Sequence, residues 1–464
     1  MNLAERLADY TYRISYSDIG AEVVSEAKKR IVDALGCAIG AFDEAPVRIA
    51  RRMATSSVHD GPSTVLGTRD RTTPDLATFV NGLMIRYFDF NDTYLSKEPA
   101  HPSDNIGATL SVAESVGVNG RKLILSTVIA YEIQCRLCDA ADIRHRGWDH
   151  VCYGLVSSAL AAGKLLGLSR SELAEAVNIA LNSHIAMRQV RAGSLTMWKG
   201  ASFSNAARNA VFSALLARQG MKGPSPIFEG EMGFFRQVSG PFELDVEGFG
   251  GKKEDGSGRG RSRGFKLSET CMKYWPVEYH AQTAVWAAIE LRKRVRDFGR
   301  ISSILVQTHE AGYSILGKDK EKWRPSTKET ADHSLPYIVG AVLAKGKIDN
   351  ASYTSKSLND PPTLRLVRKV RVVEDGKFTS LYPSRGMPNR ISVTLIGGEK
   401  VSTESILPKG HPGNPMNKRE IESKFLGLTS RKLGKKRAAE VLFRLWELEK
   451  ADDLTGLIGS LRVR

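Results

Sequence analysis

From residue 3 to about residue 245 apolar side chains recur at spacings of three and four, and no other feature restricts the fold of this chain so far. In Ala21–Ala41, for instance, Val24, Ala27, Ile31, Leu35 and Ile39 share one side of a helix, the stripe that packs against a neighbour. The same spacing predicts helices over Asp75–Tyr87, Ser103–Val116, Gly120–Cys138, Val151–Leu166, Ser169–Ala186 and Phe203–Arg218. Ser169-Arg170-Ser171-Glu172 reads as a capping box, in which a hydroxyl and a carboxylate satisfy free N–H groups at a helix start. Ser157–Gly163 and Ala206–Ala217 are rich in small residues, so their helices are expected at the centre of a helical core.

Gly248–Gly264 ends this regime, being glycine-rich, charged and without apolar period, and it reads as a flexible loop or linker. Beyond it Ile301–Thr308, Lys369–Val373 and Arg390–Ile396 have the β-branched or alternating character of strands, with helices expected over His280–Arg292 and Ser334–Ala344. Helical spacing returns from Asn417, notably in Arg437–Leu448. The expected fold is therefore mainly α with a second α+β domain. An all-helical domain is expected over 1–264, completed by C-terminal helices in 418–464, and an α+β domain over 265–417. At 464 residues the chain exceeds one ordinary core. No internal repeat, GxGxxG or P-loop motif gives a nucleotide a seat.

Composition narrows the class. Apolar residues make up 42% and charged residues 25%, with no apolar run long enough to span a bilayer. The opening MNLAERLADYTYRISYS has early acids and no apolar stretch, so a signal peptide is not expected and the cytoplasm is. Five scattered cysteines form no disulfide framework, and Cys135 and Cys138 lie one helical turn apart in an apolar run, where core lining is expected rather than zinc. The net charge of +16 is spread over Gly250–Arg263, Arg365–Arg371 and Arg431–Arg437, without interleaved aromatics or a nucleic-acid module. An anionic metabolite suits it, with a basic nucleic-acid-binding protein as the remote alternative.

Reactive groups concentrate in a few segments. Tyr87–Asn105 holds Asp89, Asp92, Thr93, His101 and Asp104, broken by prolines that forbid a continuous helix. Such a loop between helices suits a site, and Ser103 or Asp104 equally suits the cap of the next helix. His150, in Gly147-Trp148-Asp149-His150, precedes a helix whose dipole disfavours a charged imidazole, so it suits a neutral base. Arg188, Arg191 and Lys199 share a linker beside Met197 and Trp198, an arrangement fit to receive carboxylates. In Met272–Thr283, Lys273 and Glu278 flank a proline turn, His280 and Gln282 enter the next helix, and Tyr274, Trp275 and Tyr279 are placed to exclude water. Asp332 and His333 stand before a further proline. No histidine pair has metal-ligand spacing. The inventory suits proton transfer on an anion.

YFDFNDTYL, HPSDN, GWDHV, RQVRAGSLTMWKGASFSNAARN, IFEGEMGFF, MKYWPVEYHAQTAV and ETADHSLPYIV, in this order, resemble the 2-methylcitrate dehydratase (MmgE/PrpD) family. The resemblance runs from about residue 20 to 425. It implies a large helical domain built from both chain ends, a smaller α+β lid domain, a homodimer without nucleic-acid or membrane partners, a site in the cleft between domains, and catalysis with no metal or other cofactor. Motif position places functional residues at Asp89, Thr93, His101, His150, Lys199 and Lys273, with Thr93 a substrate contact and the others catalytic, and Arg188, Arg191, Glu278 and His280 are expected as further substrate contacts. The implied reaction removes water from 2-methylcitrate, a tricarboxylate, in propionate breakdown by the methylcitrate cycle. His101 and His150 would be acid and base in either order, Asp89 would orient one imidazole, and Thr93 would bind substrate oxygen. The family also holds cis-aconitate decarboxylases and an iminodisuccinate epimerase. WPVEYHAQTAV resembles the methylcitrate dehydratase branch, and the decarboxylase branch is expected to carry histidine where Glu278 stands. Gly250–Arg263 departs from the family as a loop extension.

Overall fold

Side-chain oxygens fix several helix starts. Asn2, Ser169 and Asn417 form capping boxes with Glu5, Glu172 and Glu420, so the helices Leu3–Arg13, Arg170–Ser183 and Lys418–Leu433 begin with their free N–H groups satisfied. The computed structural model describes residues 1–56, 60–193, 195–251 and 264–463. Most of the loop expected over 248–264, and most of its basic tract, lies outside the described residues. The chain forms two units: Met1–Ala192 with Met197–Thr270 and Asn417–Arg464, and Gly193–Thr196 with Cys271–Met416.

The larger unit is built on Val151–Leu166, in which every residue but Lys164 is buried. A helix apolar on all sides belongs inside, and Gly120–Ala140, Arg170–Ser183 and Trp198–Arg218 pack around it. Small residues set the spacing elsewhere. A Cβ on Gly107 would fall 2.7 Å from the Cα of Gly82, so Ile106–Ser115 and Pro74–Arg86 meet backbone to backbone. Lys418–Leu433 packs on Ala21–Gly40, which brings the C-terminal helices into this unit. Cys135 and Cys138 are buried in their helix, and burial pushes both thiols up, so they line the core.

Some expectations need correction. The helix expected over Phe203–Arg218 begins at Trp198, so Lys199 sits in a first helical turn instead of a linker. Gly200, Ala201, Ser202 and Ser204 are buried small residues and show no stripe from which the start is legible. Pro102–Asn105 forms a 3-10 turn ahead of Ile106–Ser115, and neither Ser103 nor Asp104 caps that helix. Ser63–Thr64 and Arg71–Thr72 make a short antiparallel pair in the otherwise helical unit.

In the smaller unit four strands lie in the order Val370–Glu374, Ile301–Thr308, Asn389–Leu395, Lys400–Ser405. The first pair is parallel, with Val306 opposite Val372, and the others are antiparallel, with Val306 opposite Ile391 and Val393 opposite Val401. Ile304, Val306, Val372, Ile391 and Val393 are buried in one core with Val285 and Leu291 of Gln282–Arg294 and Ile338 and Val342 of Leu335–Lys345. Each such side chain contributes about 1.5–3 kcal/mol by leaving water. Lys400–Ser405 was not expected as a strand, because it is a largely polar edge with little to bury.

Candidate active site

The loop after Pro74–Arg86 is held at both ends. Tyr94 and Ala100 exchange backbone hydrogen bonds of 2.8 and 3.0 Å. Buried Asp92 accepts from the Ser103 N–H at 3.0 Å and from the Tyr131 hydroxyl at 2.7 Å, so a helix-borne tyrosine anchors the loop's middle. Asn91 Nδ2 donates to Ser103 Oγ at 2.8 Å and to Asp104 Oδ1 at 2.7 Å. Thr93 is buried and donates its hydroxyl to the Ala100 carbonyl at 3.1 Å, which occupies the hydrogen though not all the lone pairs expected to meet substrate. Asp89 has φ +50°, the left-handed region that non-glycine residues enter at a cost and that functional loops retain.

Two charge clusters grow from this loop. Asp89 pairs with Arg86 and lies 3.4 Å from Lys199 Nζ, and Arg86 Nε is 3.5 Å from Asp104. Burial, with Asp92 adding, pushes Asp104 up to about 7 against the pull of Arg86. Within this unit Arg86 and Lys199 stand against Asp89. The carboxylate that holds His150 is Asp149, 2.9 Å from Nδ1.

Asp149 is in turn gripped by Arg191, Nε to Oδ2 at 2.9 Å and Nη2 to Oδ1 at 3.3 Å. Burial raises its pKa, yet Arg191 and His150 outweigh burial and keep it well below the usual carboxylate range. The pairing of 147–149 with 186–188 delivers this grip: Asp149 N–H reaches the Ala186 carbonyl at 2.9 Å, and Arg188 N–H reaches that of Gly147 at 2.8 Å. Arg191 was expected to meet substrate, but its guanidinium fork is closed on Asp149. Arg188 is partly exposed and makes no side-chain hydrogen bond or ion pair among the described residues, so it is the arginine open to an anion. Buried Glu98 ties the loop to the same segment, its Oε2 accepting from the N–H groups of Ile143 and Arg144 at 2.9 Å each.

His150 caps Val151–Leu166 and is buried, with Nε2 lacking a hydrogen-bond partner among the described residues. Burial lowers its pKa, Arg191 assists, and Asp149 only partly compensates, so the ring is neutral at ordinary pH. His101 Nδ1 meets the Asp92 carbonyl at 2.7 Å. A carbonyl only accepts, so the hydrogen is on Nδ1. The His101 and His150 rings lie edge to face with centroids 5.7 Å apart. Each ring is held through Nδ1, and on His150 this leaves Nε2 as the nitrogen turned over to chemistry.

The smaller unit carries its own cluster. Gln282 clamps the turn in Met272–Gln282 by accepting from Trp275 N–H at 3.1 Å and donating to its carbonyl at 2.7 Å. Lys273 is buried, and its sequence neighbours Tyr274 and Trp275 cluster with Trp286, the rings edge-on or tilted with centroids 4.9–5.3 Å apart. Glu278 and His280 do not stand apart as two substrate contacts. Glu278 accepts from the His280 N–H at 2.7 Å and from its Nδ1 at 2.8 Å, and His280 Nε2 meets the Tyr382 hydroxyl at 3.0 Å, so both ring nitrogens are taken. The proximity of His280 holds Glu278 low in spite of burial, and Glu278 holds His280 high in spite of it, giving a buried ion pair. Asp332 bridges His333, at 2.5 Å, and Lys328, at 2.9 Å.

Arg86, Tyr382 and His309 were not singled out from sequence, and Asp149 was quoted only as a neighbour of His150. Arg86 reads as an ordinary basic helix end, and Tyr382 lies in an aperiodic polar stretch. The Asp149-His150 dipeptide is the one signal that was available.

Residues 5–247 match the family model described as the MmgE/PrpD N-terminal domain, and residues 275–448 match the MmgE/PrpD C-terminal domain. The chain belongs to the MmgE/PrpD family. Among MmgE/PrpD relatives, the 2-methylcitrate dehydratase of Cupriavidus necator is 30% identical over 433 residues, 87% of this chain and 85% of that protein. The mitochondrial 2-methylcitrate dehydratase of Yarrowia lipolytica is 29% identical, covering 88% of this chain and 80% of its own. The 2-methylcitrate dehydratase of Salmonella typhimurium is 30% identical, covering 86% and 84%. This MmgE/PrpD chain is an enzyme, a hydro-lyase.

Proposed function

We propose that the enzyme dehydrates 2-methylcitrate to 2-methyl-cis-aconitate by acid–base elimination that needs no metal. The pair His101 and His150, each oriented through Nδ1, is the observation that carries this reading. His150, kept neutral, takes the proton from the carbon next to a carboxylate. The electrons of that C–H bond become the C=C bond, the C–O bond breaks, and His101, protonated on Nε2, gives its proton to the departing hydroxide to make water. Lys199 stabilises the negative charge that builds on the carboxylate, Lys273 contributes to the same step, and Arg188 holds a substrate carboxylate in ground and transition state alike. The dehydratase relatives support the substrate, and through it a place in propionate catabolism by the methylcitrate cycle.

Kinship also supports a cytoplasmic homodimer, which light scattering on the purified protein tests for assembly. Among the described residues no helix is long and apolar enough to cross a membrane. The decisive assay follows ultraviolet absorbance of the conjugated alkene with 2-methylcitrate, citrate and related acids, with a chelator present. Alkene from 2-methylcitrate, unaffected by the chelator, is the expected result. No alkene from it, or activity abolished by the chelator, refutes the corresponding part of the proposal.

A further inference from the structure

Within the smaller unit Glu278, His280 and Tyr382 form one hydrogen-bonded chain whose direction can be read. Glu278 is a carboxylate and only accepts, so His280 Nδ1 carries a hydrogen. What Nε2 does then sets the tyrosine. A neutral ring would accept there, and the Tyr382 hydrogen would be consumed inside the unit. An imidazolium donates to the tyrosine oxygen instead, and the hydroxyl hydrogen has to find its acceptor elsewhere. Burial opposes charge on His280, but the Glu278 carboxylate against it prevails and keeps the ring protonated.

The far end of the chain is built to present that hydrogen. His280 is the one hydrogen-bond partner of the Tyr382 hydroxyl among the described residues, and Tyr382 is partly exposed. Its ring is fixed on one face by buried His309, stacked at a centroid distance of 4.3 Å and an interplanar angle of 8°. His309 is itself held by the Gly312 N–H, which donates to its Nδ1 at 3.3 Å. A phenol with its face packed, its oxygen engaged and its hydrogen unspent is a pre-oriented donor, and a donor so arranged favours an anionic oxygen.

We propose that Tyr382 is a substrate-binding residue whose hydroxyl donates to a carboxylate oxygen of the tricarboxylate, with Glu278 and His280 directing the hydroxyl and His309 positioning its ring. The inference rests on the reading of the enzyme as a tricarboxylate dehydratase and adds a contact to it. Tyr382→Phe keeps the stack and removes only the hydroxyl. Calorimetric titration of the full chain with propane-1,2,3-tricarboxylate, which has no hydroxyl to lose, is expected to show binding about ten-fold or more weaker in Tyr382→Phe. With 2-methylcitrate the KM should rise by a similar factor and kcat change little. If His309 acts through that hydroxyl, His309→Leu weakens binding in the wild-type background and adds nothing in Tyr382→Phe, which a purely structural role would not produce. Equal affinities for wild type and Tyr382→Phe, or no binding of the tricarboxylate by wild type, overturn the proposal. Binding needs no turnover, so weakened binding without any alkene from 2-methylcitrate supports this contact while defeating the dehydratase reading alone.

Discussion

Asp149 receives His150 Nδ1 at 2.9 Å on one oxygen and Arg191 Nε at 2.9 Å on the other. The aspartate thus passes the geometry of an arginine fork to an imidazole and fixes its tautomer, leaving Nε2 as the lone-pair nitrogen. With Asn in its place the amide leaves burial and Arg191 unopposed on His150, whose pKa then falls further. Asp149→Asn is accordingly expected to lower kcat/KM by roughly 10²-fold or more and to move the acid limb of its pH profile downward. An acid limb that stays put or moves upward would show that His150 is not the titrating base.

The edge-to-face pair makes a second claim. His101 and His150 each serve a different proton, so neither replaces the other. His101→Gln and His150→Gln should each depress turnover by roughly 10²-fold or more, and the double variant should lose little beyond the worse single one. Near wild-type turnover in either single variant, measured by alkene absorbance, would remove that histidine from the mechanism.

The two arginines of the 3-10 turn Arg188–Arg191 divide their labour. Arg188, with no ion pair among the described residues, is placed to bind a carboxylate in ground and transition state alike, whereas Arg191 is spent on Asp149. Arg188→Ala should therefore raise KM with kcat largely kept, and Arg191→Ala should lower kcat through Asp149 and His150. Interchanged effects would reverse the assignment.

Lys273 is buried in the unit that does not carry the histidines. A buried ammonium spent on a developing carboxylate charge should be worth roughly 10²-fold in turnover. Lys273→Ala should show that loss with the far-ultraviolet circular dichroism of wild type. Full turnover in a folded Lys273→Ala protein would confine the chemistry to the helical unit.

Helices with one apolar face were legible because a stripe exists only where the opposite side meets water, and Ala21–Gly40 begins where its stripe begins. Trp198–Arg218 hid its first turn because small buried residues leave no stripe, and that turn carries Lys199. Strand Ile301–Thr308 was plain from β-branched residues, while edge strand Lys400–Ser405 was not, since its inward face is brief. At the candidate site reactive residue types stood out, but partnership did not. Arg191 and Arg188 look alike in sequence, and only the pairing of 147–149 with 186–188 decides that one is closed on Asp149. Tyr382 meets His280 across 102 residues, a distance over which no local pattern survives.

Burying a neutral imidazole also ties stability to pH with a definite sign. The folded pKa of His150 lies below its ordinary value, chiefly through burial. Below an unfolded pKa of about 6.5 the unfolded chain therefore takes up a proton that the folded one refuses. This contribution is complete above that pH and is lost as pH falls toward the folded value. His309, pushed down to about 3 by burial and His280, acts in the same sense. Glu98 and Asp104, each pushed up to about 7 by burial, act in the opposite sense, since their folded forms bind protons first. His150→Gln removes one group of the first kind and leaves the others. Urea unfolding at pH 7, 6 and 5 should then show a stability that declines less steeply, or rises more, on acidification than in wild type, by at most about 1.4 kcal/mol per pH unit. A steeper decline in the variant would mean that His150 is charged in the folded enzyme, and the base would have to be sought elsewhere.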